Sequence, residues 1–155
     1  MKARFKFIPA VYLVLKKNDS VLLLRRYNTG YQDGSYSLIA GHLDGDEPLA
    51  TAMAREAQEE AGIRINPEDL TLVHVMHLRS NIQEGMDNER ISFYFTTDIY
   101  EGEPYNAEPH KCDDLNWFPL ASLPKTTIPH VRYALENIQK NLPYSAFGWN
   151  SAETT

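Results

Sequence analysis

Between Gly41 and Ile63 the chain reads GHLDGDEPLATAMAREAQEEAGI, and Glu56, Glu59 and Glu60 crowd together near the end of the segment. On a helical wheel Ala50, Met53, Ala54, Ala57 and Ala61 share an arc of about 100°, wide enough to face a core. The three glutamates share a second arc, centred roughly 120° from the first. Asp46 is placed to cap this helix, Pro48 falls in its first turn and Gly62 stops it. Such an acidic face is ordinarily just solvated. Here the energetics oppose that reading. Glu56 meets Glu59 at i+3 and Glu60 at i+4, each pair costing roughly 0.2–0.5 kcal/mol. Glu59 and Glu60 also sit in the last turn, where the helix dipole disfavours anions. Arg55 is the one local counter-charge, and a single guanidinium cannot neutralise three carboxylates. A hard divalent cation could, since Mg²⁺ takes oxygen ligands and shares its shell with water and phosphate.

The rest of the chain supplies β-rich runs. IPAVYLVLKK and SVLLLRRY meet at NDS and read as a hairpin. SLIAG is a short apolar stretch. LTLVHVMHL and ISFYFTTDIY are strands joined by the polar loop RSNIQEGMDNE, LNWFPL is a short strand, and PHVRYALENIQKNL is a second amphipathic helix. Helices and strands mix without strict alternation, so the class is α/β or α+β with a mixed sheet. The 155 residues make one domain, residues 1–143, and the stretch 144–155 has no period and reads as a tail. The single cysteine, Cys112, forms no internal disulfide and fits a reducing cytoplasm. The apolar N-terminal run is broken by Lys16 and Lys17, too short to cross a bilayer. A formal charge of −6 argues against non-specific nucleic-acid binding, but allows a phosphorylated small molecule bridged by a divalent ion. The five histidines and one cysteine show no zinc-ligand spacing.

The full spacing is more specific than the charge. Gly41, Glu47, Arg55-Glu56, Ala57, Glu59-Glu60, Gly62 and Ile63 fall at the fixed and apolar positions of the Nudix box, which the segment resembles. Seven fixed identities match a random window roughly once in 10⁸ trials. The resemblance implies a mixed sheet sandwiched between helices, with the box as loop–helix–loop. It also implies a Mg²⁺-dependent hydrolase, with Mn²⁺ as an alternative ion, that cleaves the diphosphate of a nucleoside triphosphate or other nucleoside diphosphate derivative. Carried over residue by residue, it makes Glu56 and Glu60 direct metal ligands and Glu59 a ligand or the base that activates water. The Ala40 carbonyl becomes a further ligand, Arg55 the group that holds the carboxylates, and Glu47 a brace between loop and helix.

Outside the box, LLLRR resembles a strand that presents an arginine to phosphates, with Arg26 the better match and Arg25 the alternative. EGEPYNAE resembles a loop in the MutT branch whose closing glutamate reaches the metal, which gives Glu108 first and Glu103 second. Tyr27, Tyr31, Phe93, Phe95 and Trp117 are candidates for stacking on a base, although Phe93 and Phe95 share a strand face that suits a core. Thr127 stands where the oxidised-guanine enzymes of that branch carry a base-reading asparagine. Ile39-Ala40-Gly41 replaces the common Pro-Gly-Gly. The marks of the ADP-ribose and diadenosine-polyphosphate branches are missing at Leu78, Arg79, Ser80 and Asn81. Two other readings stand beside the hydrolase: a non-catalytic Nudix sensor of nucleotides, and a hydrolase of a non-nucleotide diphosphate. A homodimer is a candidate assembly.

Overall fold

The computed structural model describes residues 2–80 and 89–150. Its larger sheet has five strands in the order β5-β1-β7-β6-β9. β1 (Ile8–Val14) pairs antiparallel with β5 (Ile39–His42) and parallel with β7 (Glu89–Thr96). β7 pairs antiparallel with β6 (Thr71–Arg79), and β6 pairs parallel with β9 (Tyr144–Phe147). A smaller sheet is centred on β3 (Ser20–Arg26), flanked antiparallel by β2 (Lys16–Lys17), β4 (Tyr36–Ser37) and β8 (Cys112–Pro119). Asn18 makes the β2–β3 turn in the left-handed region, at φ 56°.

β1 reads as a continuous apolar run because both of its faces are covered. Val11, Leu13 and Leu15 pack against α1 (Leu49–Ala61) through Ala52, Met53, Ala57 and Ala61. Ala10, Tyr12 and Val14 belong to the opposite core, with Val131, Ala134 and Leu135 of α2 (Pro129–Gln139). The sheet is therefore sandwiched between helices, the mixed α+β architecture expected.

Three local readings change. Asp46 does not cap α1: it lies at φ 52°, Pro48 is the N-cap residue, and no side chain bonds the helix start. The buried stripe of α1 runs through Ala52, Met53, Glu56, Ala57 and Ala61, with Ala50 and Ala54 at its margin. The stretch after residue 143 is not all tail. Tyr144–Phe147 forms the edge strand β9, held by His74, whose Nδ1–H donates to the Leu142 carbonyl at 2.7 Å while Nε2 accepts from the Ser145 hydroxyl at 2.7 Å. The expected polar loop between β6 and β7 lies mostly outside the described residues. Among the described residues no helix is long and apolar enough to cross a membrane.

Candidate active site

Gly62 ends α1 as the pattern requires. It adopts φ 66°, and its N–H bonds the Gln58 carbonyl. The Tyr105 ring packs where a β-carbon would stand, 2.1 Å from Tyr105 Cε1. The loop carrying Tyr105 fastens to the helix end, with the Tyr105 N–H donating to the Ala61 carbonyl at 3.1 Å and Ala107 N–H to the Glu60 carbonyl at 3.2 Å. These bonds satisfy carbonyls that a helix terminus leaves free. They also deliver Glu108 to the helix, in a turn braced by Asn106, which accepts from the Glu108 N–H and donates to the Cys112 carbonyl.

Arg55 draws the loop before α1 and the helix glutamates together. Its Nε and Nη2 donate to the two Glu47 carboxylate oxygens at 3.2 and 2.8 Å, and its Nη1 donates to Glu56 at 2.9 Å. A longer contact reaches Glu59 at 3.4 Å, and Nη2 also donates to the His42 carbonyl. Glu47 accepts in turn from the Asp44 N–H. The carboxylates keep the Arg55 guanidinium firmly charged.

Glu60 faces the other way, with Oε2 accepting from the Ala40 N–H of β5 at 3.1 Å. Burial, and then the charges of Glu56 and Glu108, push its carboxyl up to about 8 despite that bond. Burial also raises Glu56, against the pull of Arg55 and with a push from Glu59 and Glu108. The Glu56 carboxylate lies so close to β5 that a β-carbon on Gly41 would come 2.1 Å from its Cδ. Glycine at 41 is thus what lets this carboxylate lie against the strand.

These groups open onto a cleft of about 620 Å³. Ala40, Arg55, Glu56, Glu59, Glu60, Glu108, Arg26 and Tyr31 line it. Arg26 donates to the Tyr31 carbonyl at 2.7 Å and to Thr29 at 3.0 Å. Other candidates fall elsewhere. Arg25 turns away to pair with Asp113 at 2.7 Å. Trp117 packs on the α1-side core beneath Lys17, Phe93 and Phe95 belong to that same core, and Tyr27 is exposed outside the cleft. Thr127 is buried, with its hydroxyl donating to the Pro124 carbonyl, and does not line the cleft. Tyr12, His42, Arg90 and Lys111 line the cleft without having been foreseen. Tyr12 and Arg90 were legible in part, because alternate residues of β1 and β7 share a face.

The donor set is all oxygen, which suits a hard divalent ion rather than zinc or copper. Charge that burial opposes on Glu56 and Glu60, and that Arg55 offsets only in part at Glu56, also fits such an ion. Among the described residues no three His, Cys, Asp or Glu side chains form a ready-made metal cluster. Arg55 occupies one Glu56 oxygen and touches Glu59 only at 3.4 Å or more, so both carboxylates keep lone pairs for a metal.

The NUDIX domain model matches residues 6–138. The chain belongs to the Nudix family. Its similarity to a Nudix fold of known structure is direct: the MutT NUDIX hydrolase of Burkholderia pseudomallei superposes with TM-score 0.74 at 26% identity, over 85% of this chain and 98% of that one. The MutT protein of Methanosarcina mazei Go1 gives TM-score 0.69 at 21% identity, over 90% and 97%. Among curated relatives, the NAD-capped RNA hydrolase NudC of Stutzerimonas stutzeri is 25% identical over 116 residues, 75% of this chain and 38% of that protein. The chain thus spans about two-fifths of the length of such relatives.

Proposed function

We propose that this Nudix hydrolase cleaves the diphosphate of a nucleoside triphosphate or dinucleotide in a reaction that needs a divalent metal, with Mg²⁺ the expected ion. The observation that carries the reading is one cleft shared by five carboxylates, Asp44, Glu56, Glu59, Glu60 and Glu108, and four cations, Arg26, Arg55, Arg90 and Lys111. Glu56, Glu60 and Glu108 would hold the metal with the Ala40 carbonyl. When bound, the ion neutralises diphosphate charge and lowers the pKa of attacking water.

The chain's own residues do the rest. Glu59 is half-exposed and held only by the longer Arg55 contact, which leaves it free to accept a proton from water. Arg55 and Glu47 fix the loop relative to α1, so that β5 and the helix present their oxygens together. Arg26, already oriented by Tyr31 and Thr29, offers its remaining N–H groups to phosphate oxygens.

The relatives named above as NAD-capped RNA hydrolases put a dinucleotide diphosphate in the test panel beside nucleoside triphosphates, oxidised nucleotides and sugar nucleotides. Each is incubated with and without Mg²⁺ and the products separated. Metal-dependent release of a mononucleotide from at least one class is expected. Absence of turnover from every class, with metal present and the protein folded, would sink the proposal.

A further inference from the structure

Arg26 reaches the cleft from the end of β3 with one edge already occupied. Its Nε donates to the Tyr31 carbonyl at 2.7 Å and its Nη2 to the Thr29 hydroxyl oxygen at 3.0 Å. Both acceptors belong to the loop 27–35, which leaves β3 at Arg26 and closes back onto it. The Gly34 N–H donates to the Arg26 carbonyl at 2.7 Å, and the Arg26 N–H to the Ser35 carbonyl at 2.9 Å. Within the loop Asn28, Gly30, Gln32 and Gly34 all take positive φ, between 51° and 84°. For Asn28 and Gln32, which carry side chains, that conformation costs free energy and persists only where the surroundings over-determine it.

Asp33 supplies that constraint. Its carboxylate accepts from the Thr29 N–H at 3.0 Å, the Gly30 N–H at 3.0 Å and the Thr29 hydroxyl at 2.6 Å. These bonds, the hydroxyl's first, hold its carboxyl below the usual carboxylate range. At neutral pH it is ionised and can only accept. The Thr29 hydroxyl has one proton and two acceptors within reach, Asp33 at 2.6 Å and the Tyr31 carbonyl at 3.0 Å; the nearer, charged one takes it. The hydroxyl oxygen is then left to accept, from Arg26 Nη2 and from the Tyr31 N–H at 3.2 Å. Asp33 thus sets the direction of the relay. Nε and one N–H of Nη2 are engaged by the loop, while N–H groups on both terminal nitrogens of Arg26 are not, and such a fork matches two phosphate oxygens. Thr29 and Tyr31 line the cleft beside Arg26, and Asp33 does not.

We propose that Asp33, from outside the cleft, is a positioning residue for substrate binding: through the Thr29 hydroxyl it fixes Arg26 so that the fork is presented to the phosphates of the substrate. The inference rests on the reading above that Arg26 contacts phosphate, and adds the residue that makes the contact ready before substrate arrives. A guanidinium not so held would have to be ordered on binding, and that ordering costs affinity.

The test is a double-mutant cycle read as kcat/KM at saturating Mg²⁺, on the substrate that the panel identifies, with each variant shown by thermal melting to be folded. Asp33→Ala and Thr29→Val should each lower kcat/KM about tenfold, the scale of a hydrogen bond to a charged group, with the loss in KM rather than kcat. Thr29→Ser, which keeps the hydroxyl, should restore most of what Thr29→Val loses. In an Arg26→Ala background Asp33→Ala should cost less than about twofold more, because the group it positions is gone. A loss of the same size in both backgrounds would mean that Asp33 only holds the loop together, and would overturn the proposal. Parent kcat/KM in Asp33→Ala would overturn it too. Should Asp33→Ala not fold, Thr29→Val carries the cycle with the same expectations. Arg26→Ala at parent kcat/KM removes the phosphate role of Arg26 and the inference with it, leaving the hydrolase reading in place. A parent that turns over no substrate overturns both.

Discussion

A β-carbon at position 41 would stand 2.1 Å from Glu56 Cδ, so Gly41→Ala must move that carboxylate or bend β5. Misplacing a reacting group by about 1 Å costs on the order of 100-fold in rate. Gly41→Ala should therefore lose about that much kcat/KM while melting within a few degrees of the parent. Glu60→Gln isolates a different property. Burial and neighbouring carboxylates oppose its charge, so the neutral amide should leave the metal-free protein as stable as before or more so. Removing a metal ligand should at the same time lower kcat/KM at least about 100-fold, measured at saturating Mg²⁺. A variant that keeps full activity would remove Glu60 from the metal site.

The two helices carry their information differently. In α2 the buried His130 keeps its pKa near 4, below the ordinary value of about 6.5. Its neutral form is fully favourable to folding above pH 6.5. As pH falls towards 4, the unfolded chain takes up a proton that the folded chain refuses, and stability drops. The loss should approach about 3 kcal/mol once pH has passed below 4. Urea titrations at pH 7 and pH 5 should show part of it, and His130→Asn should remove that part. In α1 the periodicity, the Gly62 stop and the box spacing were legible because they are local. Asp46 misled because a capping residue is recognised by type, whereas the chain here turns through positive φ at Gly45 and Asp46 before Pro48. Glu108 was legible as part of a motif. Arg25 and Arg26 could be separated only by register against β8, where Arg25 faces Asp114 and the ladder shifts between the two arginines. Arg90, Lys111 and the fate of Thr127 depend on contacts between distant segments, which no local pattern encodes.

For the whole molecule, metal affinity and stability are one quantity. An ion that binds the folded chain and not the unfolded one stabilises it by RT ln(1 + [L]/Kd), about 1.4 kcal/mol at tenfold excess over Kd. A chain of 155 residues should then gain roughly 3–5 °C in melting temperature. Thermal melts with and without MgCl₂ should show that rise in the parent and a much smaller one in Glu60→Gln. A flat response in the parent would mean that the carboxylates hold no such ion. The same scale gives β9 a meaning beyond packing. β6 is made early, yet its outer edge is paired by Tyr144–Phe147, after α2 has been laid down. During synthesis that edge stays bare until residue 147 has cleared the ribosome. The nascent chain therefore carries an open strand edge from the end of β6 until β9 follows it, and a pause or premature stop before Pro143 would leave an intermediate prone to pairing with its neighbours on the polysome.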